Sequence, residues 1–240
     1  MSHLRRDELE ILFRQAGLEL SDSAHERLVQ FLELVIHTNE QLNLTAITSL
    51  EEGYVKHLYD SLAIIGLPEF ARADTLIDIG SGAGFPSIPL AICFPGKRFT
   101  SLDSTQKKIN FQAQAAELLG LQNFTTCWGR AEELAHSPAY RESFDLATAR
   151  AVAQVNILLE LALPFVKTGS AAVFYKGKDY LSELESLQKP LAVLHAGLDR
   201  AISYHLPDNL GERAFVVFQK QQPTASAYPR KPGVPQKKPL

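Results

Sequence analysis

Cysteine is scarce: the 240-residue chain holds only Cys93 and Cys127, with no CxxC spacing and no second cluster. That excludes a disulfide framework and argues against a structural zinc site or any other metal, and it suits a reducing compartment. Long apolar runs are missing too, so no bilayer span is expected. The start, Met1-Ser2-His3-Leu4-Arg5-Arg6-Asp7-Glu8, enters a charged pattern without the apolar segment of a signal peptide. A cytoplasmic protein without membrane attachment is the expectation. Acidic residues are absent beyond Glu212, where Arg213, Lys220, Arg230, Lys231, Lys237 and Lys238 all occur. The net charge of −3 conceals this, because the charge of residues 1–60 is mainly acidic. A local basic arm meets phosphates whatever the distant surface carries.

What remains is ample apolar material, 45% of residues against 21% charged, enough for one large α/β domain with short extensions. Residues 4–16 and 24–37 carry apolar side chains at helical spacing, with Ser21 or Asp22 as N-cap of the second stretch, and a third helix is expected from about Glu51 to Ile65. Residues 1–66 therefore read as a helical cap. After Pro68 short apolar runs alternate with helical patterns. The runs are Thr75–Ile79, Arg98–Leu102, Phe124–Cys127, Phe144–Thr148, Ala171–Tyr175, Ala201–His205 and Ala214–Gln219. Helices are expected at about 86–93, 106–119, 152–163 and 179–196, the second closed by Gly120. Such alternation predicts a mainly parallel sheet covered on both faces over residues 67–222. The last two runs are separated only by a turn sequence, Pro207-Asp208-Asn209-Leu210-Gly211, which predicts a terminal antiparallel hairpin. Residues 223–240, rich in proline and basic, read as an extended, mobile tail.

The chemistry concentrates after the first run. Asp78-Ile79-Gly80-Ser81-Gly82-Ala83-Gly84-Phe85 joins an apolar strand to a helix through three glycines at alternate positions. Lacking Cβ atoms, Gly80, Gly82 and Gly84 allow a sharp turn and a close ligand. A dinucleotide fingerprint would need a third glycine at Phe85, and Asp78 is a poor neighbour for a pyrophosphate. A cationic sulfonium suits that carboxylate better, which points to S-adenosylmethionine. Asp103 ends the next strand, where a carboxylate can accept both ribose hydroxyls. Glu132, in Gly129-Arg130-Ala131-Glu132-Glu133, follows the third strand within reach of an adenine edge, although an acid there also suits a helix N-terminus.

Taken in order, the glycine loop, Leu102-Asp103-Ser104 with Lys107-Lys108, Gly129–Glu133, Thr148-Ala149-Arg150-Ala151-Val152-Ala153 and the tail Tyr228–Gly233 resemble a known family. So do Asn43-Leu44-Thr45 and His57–Leu62 of the cap. The family is that of the bacterial small-subunit ribosomal RNA guanine-N7 methyltransferases, RsmG, also called glucose-inhibited division protein B. The resemblance implies a class I, Rossmann-like methyltransferase fold with S-adenosylmethionine as cofactor and 16S ribosomal RNA, in a small subunit or its precursor, as substrate. It also implies that Gly80 and Phe85 line the cofactor loop, Asp103, Ser104 and Thr105 the ribose side, Ala131 and Glu132 the adenine, and Arg150 the reacting centre. Ser87 stands where the family often has glycine.

Guanine N7 attacks with an in-plane lone pair and carries no proton, so alignment rather than a general base is the expected contribution. The Asn/Asp-Pro-Pro-aromatic mark of amine methylation is missing after the fourth strand, and both cysteines read as core residues. Arg150 is the expected catalytic residue in the positioning sense, its fork suited to the Hoogsteen edge or a phosphate. Its side chain is expected at the cofactor as well. Lys176 and Lys178, after the fifth strand, and Arg230, Lys231, Lys237 and Lys238 are candidate RNA contacts. His57 and Asp60, one helical turn apart, either help close the substrate pocket or bond the cap to the main domain. A small-molecule methyltransferase on the same fold is the alternative, and a monomer is expected.

Overall fold

In the computed structural model, which describes residues 6–240, seven strands form one sheet in the order β3-β2-β1-β4-β5-β7-β6. They are β1 Thr75–Ile79, β2 Arg98–Asp103, β3 Phe124–Trp128, β4 Phe144–Arg150, β5 Val166–Gly177, β6 Ala196–His205 and β7 Glu212–Lys220. The first five are parallel, and β7 runs antiparallel between β5 and β6. Every expected strand is present and the terminal hairpin pairs as expected. Two begin earlier than the apolar runs suggest. The start of β5 is masked by exposed Lys167-Thr168-Gly169, and a bulge between Leu198 and Arg200 interrupts the alternation of β6.

The cap region comprises α1 Arg6–Gln15, α2 Asp22–Leu42 and the short turns α3 Leu50–Gly53 and α4 Asp60–Leu62, and α5 Pro68–Arg72 leads from it into β1. The expected start of the first helix at residue 4 lies outside the described residues. Ser21 caps α2, its hydroxyl accepting from Ala24 N at 3.2 Å. The single helix expected at 51–65 is instead one helical path of changing pitch: α3 leads into a π-helical segment, Tyr54–Tyr59, then α4, then a 3₁₀ turn at Ala63–Gly66. Such wide turns re-aim side chains within a helix. Covering the sheet are α6 Ser87–Cys93, α7 Gln106–Leu118, α8 Ala131–Leu134, α9 Val155–Ala162, α10 Tyr180–Leu184 and α11 Gln188–Leu194, with α12 Val234–Lys237 near the C-terminus. The helix expected over 179–196 is thus two short ones. The helix expected from 152 starts at Val155, leaving residues 151–153 as a bend that bears on the site.

Two apolar cores fill the two faces of the sheet. One runs from Leu9 and Phe31 of the cap through Phe85 and Phe111 to Val217, so cap and sheet share a single interior. The other joins Ile79, Leu102, Leu158, Phe174 and Phe218. Cys127 is buried and Cys93 half-buried among apolar neighbours, where burial pushes the Cys93 thiol up to about 12. Neither thiol is available as a nucleophile.

The expectation of a mobile tail is corrected. Residues 223–240 fold back onto the domain. Arg141 donates to the carbonyls of Thr224, Ala225 and Tyr228, and His136 bonds to Pro229 O at 2.8 Å. Arg230 grips the buried carboxylate of Glu160 with Nε and Nη2, at 2.9 and 2.6 Å. A basic, proline-rich composition indicates disorder only when the domain offers no acid and no donor to receive the chain.

Candidate functional site

The glycine loop leaves the carboxyl end of β1, beside β4, where the strand order reverses and open α/β sheets place their ligands. Gly80 and Ser81 donate their amides to Leu102 O at 2.8 and 3.1 Å. Gly82 N reaches Asp103 Oδ2 at 2.9 Å. Gly80, Gly82 and Gly84 have φ of 70°, 61° and 96°, the left-handed region that favours glycine. From behind, a buried polar group pins the turn. Gln112 of α7 donates to Ser81 Oγ and Gly82 O, both at 2.8 Å, and the Ser101 hydroxyl bonds to Ser81 Oγ and to Gln112 Oε1. Sequence reasoning missed Gln112 and Ser101. The available signal was an amide on the otherwise apolar face of α7, beside Ile109, Ala115 and Ala116.

Asp103 accepts from Gly82 N with one oxygen and from Thr105 N, at 2.8 Å, with the other. Each oxygen keeps a second lone pair. A cavity of about 450 Å³ opens here, with Asp103, Ser104 and Thr105 on one side and Ala131 and Glu132 on another. Ile79, Leu102, Ile157 and Leu161 supply its apolar surface. Its size suits a nucleoside-sized ligand. Trp128, at the tip of β3, is outside the lining but touches it through Ser104, its indole N–H donating to Ser104 O at 3.1 Å.

Two expectations change in detail. Asp78 is only 2% exposed and lies beneath the loop rather than in the wall of this or the neighbouring cavities. Thr148 Oγ1 donates to its Oδ1 at 3.1 Å, while Oδ2 is buried without a hydrogen-bond partner. Burial pushes this carboxyl up to about 7, against the opposing influence of Thr148, Ser87 and Arg150. Ser87, fully packed under the loop, thus belongs to the surroundings of Asp78. Glu132 Oε1 is engaged by the tail, accepting from Gly233 N at 2.9 Å.

Arg150 ends β4 and is held by the cap. Its Nη1 donates to Lys56 O and to Asp60 Oδ2, at 3.2 and 3.0 Å, and its Nη2 lies 3.3 Å from His57 Nδ1. A guanidinium only donates, so Nδ1 of His57 is the acceptor and Nε2 carries the proton toward Thr45 Oγ1, 2.8 Å away. Burial, then Arg150, takes the His57 ring down to about 3, so it is neutral at physiological pH. His57 stacks on Phe85 with centroids 4.4 Å apart, and the Arg150 guanidinium lies over the same ring at 5.3 Å. Asp60 also accepts from Tyr204 at 2.7 Å, tying the cap to the hairpin. Both roles considered for His57 and Asp60 are thus compatible: they bond cap to domain through the very side chain that lines the site.

The cavities are contiguous. One of about 240 Å³ over the loop shares Gly80 and Lys108 with the larger one, and another of about 440 Å³ beside Arg150, Tyr175 and Lys176 shares Arg150 and His57 with the loop cavity. Ala151, at φ 57°, lines all three. Lys176 is spent on Glu183, at 2.7 Å, and on Ala153 O, whereas Lys178, Lys231, Lys237 and Lys238 are exposed. Arg230 is not an exposed RNA contact, because Glu160 holds it.

A sheet of this order, with a glycine cradle whose Gly82 faces open space and an acid closing the adjacent strand, is the class I methyltransferase fold. An O-methyltransferase from Bacillus cereus, solved in complex with SAH, overlays with a TM-score of 0.55 at 18% identity, over 79% of this chain and 90% of that one. The family model for rRNA small subunit methyltransferase G (GidB) matches residues 24–209. Ribosomal RNA small subunit methyltransferase G of Brevibacillus brevis is 42% identical over 96% of this chain and 97% of its own length. The protein of that name from Listeria monocytogenes (serovar 1/2a) is 38% identical over 98% of both. The chain belongs to the rRNA small subunit methyltransferase G family.

Proposed function

We propose that this protein transfers a methyl group from S-adenosylmethionine to N7 of a guanine in 16S ribosomal RNA. The observation that carries the reading is the junction at Ala151, where a nucleoside-sized cavity bounded by Asp103 meets a second cavity lined by Arg150. The cofactor, when bound, supplies an electrophilic methyl carbon on a sulfonium. The free lone pairs of Asp103 suit ribose hydroxyls, and the backbone around Ala131 faces the adenine end. Gly82, where a side chain would project into open space, leaves room for the amino-acid end.

No residue at the junction is placed as a proton acceptor. His57 is neutral but spends Nδ1 on Arg150, and the buried Asp60 carboxylate has one oxygen turned to Arg150 and the other to Tyr204. Such a site suits N7, which has no proton to lose. Arg150 retains one Nη2–H and its Nε–H for guanine O6 or a phosphate, and Asp60 fixes their direction. The exposed lysines of the tail and Lys178 offer phosphate contacts.

The test supplies purified protein and labelled S-adenosylmethionine to small subunits or 16S RNA from a strain lacking the enzyme, then cleaves with borohydride and aniline. New scission at one guanine is the expected result. Label confined to small molecules, or RNA labelled without aniline-sensitive scission, overturns the N7 assignment.

A further inference from the structure

The C-terminal segment approaches the cofactor cavity so closely that it forms part of its wall. Gly233, Pro235 and Gln236 line the same cavity as Asp103 and Ala131. Gly233, at φ 77°, turns the chain so that its amide meets Glu132, the acid that the family resemblance places at the adenine edge. Anchors hold this approach at successive points: Lys220 on Glu142, Thr224 N on the same carboxylate, and Arg230 on Glu160. Glu160 is only 1% exposed, and it accepts from both the side chain and the backbone N of Arg230. A carboxylate so deeply buried is stable as a charge only while that cation is docked.

We propose that residues 230–236 are a nucleoside-binding clasp: Arg230 on Glu160 positions the segment, and Gly233 to Gln236 form the adenosyl wall and hold Glu132. The inference rests on S-adenosylmethionine being the ligand of this cavity. It gives the tail a role in cofactor affinity distinct from the phosphate contacts open to Lys231, Lys237 and Lys238. Arg230 is a positioning residue, acting through the segment it anchors rather than on the ligand.

The experiment titrates S-adenosylhomocysteine by calorimetry into the full chain, a chain ending at Pro232, and Arg230→Ala. Ending at Pro232 removes the wall but leaves the Arg230 anchor, and a melting curve beside that of the full chain separates loss of the clasp from loss of the fold. Affinity should fall about ten-fold or more in both variants, a difference of about 1.4 kcal/mol. Trypsin supplies a second readout: ligand should slow cleavage after Arg230 and Lys237 in the full chain. Undiminished affinity in the chain ending at Pro232, with tight binding by the full chain, overturns the clasp alone. Absence of binding by the full chain overturns the cofactor reading and the clasp with it.

Discussion

Arg150 illustrates how one side chain serves both the fold and the site. Its guanidinium is 12% exposed, with Asp60, Lys56 O and His57 as partners, so truncation leaves the buried Asp60 carboxylate with only the Tyr204 hydroxyl and the more distant Arg213, at 3.9 Å. Arg150→Ala should lower methyl transfer by two orders of magnitude or more and destabilise the chain by about 3 kcal/mol. Arg150→Lys keeps the charge but not the fork, and should recover stability more than turnover. Near-normal single-turnover rates in the alanine variant would refute the positioning role. Asp78 supplies the pH-dependent case. Its folded carboxyl titrates at about 7 against 3.8 unfolded, so the unfolded state alone ionises as pH rises between those values. Stability is therefore lost across that window and is level above it. Asp78→Asn abolishes the dependence: melting temperatures of the two proteins should agree near pH 4 and diverge by several degrees in favour of asparagine near pH 8. His57 works in the opposite sense, its depressed value making a stabilising contribution that is full above 6.5 and fades as pH falls toward about 3. None of these residue environments follows from residue type alone. The sequence marked Asp78, Arg150 and Glu132 as candidates. Their partners, Thr148, the cap and Gly233, come from elements distant in the chain, and only packing brings them together.

At the scale of elements, the loop after β1 separates two ways in which a glycine is needed. A Cβ on Gly80 would lie 2.7 Å from the Val152 side chain, whereas on Gly82 it would meet nothing within 4 Å. Gly80→Ala should destabilise the fold by about 1–3 kcal/mol through strain at positive φ and the displaced bend. Gly82→Ala carries a similar φ penalty but no clash, and its methyl projects where a ligand approaches; the expected cost is chiefly in S-adenosylhomocysteine affinity. Parallel melting and calorimetry on both variants check this, and equal affinity losses at equal stability would contradict it. Strands were legible because those buried on both faces concentrate apolar residues, and Thr75–Ile79 was read to the residue. Segments 51–65 and 179–196 were harder. Helical spacing does not distinguish an α-turn from a π-turn, and the break at Glu185-Ser186 is signalled only by Pro190, a residue equally at home in the first turn of a new helix.

Over the whole molecule, the cap, sheet and tail function as one body around the site. Tyr175 donates to Ser61 O at 2.9 Å and Tyr204 to Asp60 Oδ1 at 2.7 Å, so the cap is fastened to the sheet at its centre and at its hairpin edge. The expectation of a cap, a domain and a tail was open to composition and periodicity. Their union was not, because a helical cap and a basic tail have the same sequence signature whether they dock or float. One consequence is optical. Trp128 is the chain's single tryptophan, 59% exposed, and its indole is bonded to Ser104 at the mouth of the cofactor cavity. Its emission is therefore a label-free gauge of that mouth. Saturating S-adenosylhomocysteine should change its intensity along the same binding curve that calorimetry traces, and a spectrum that ignores the ligand would remove Ser104 from the site. The protein carries its own dye at the entrance to its pocket.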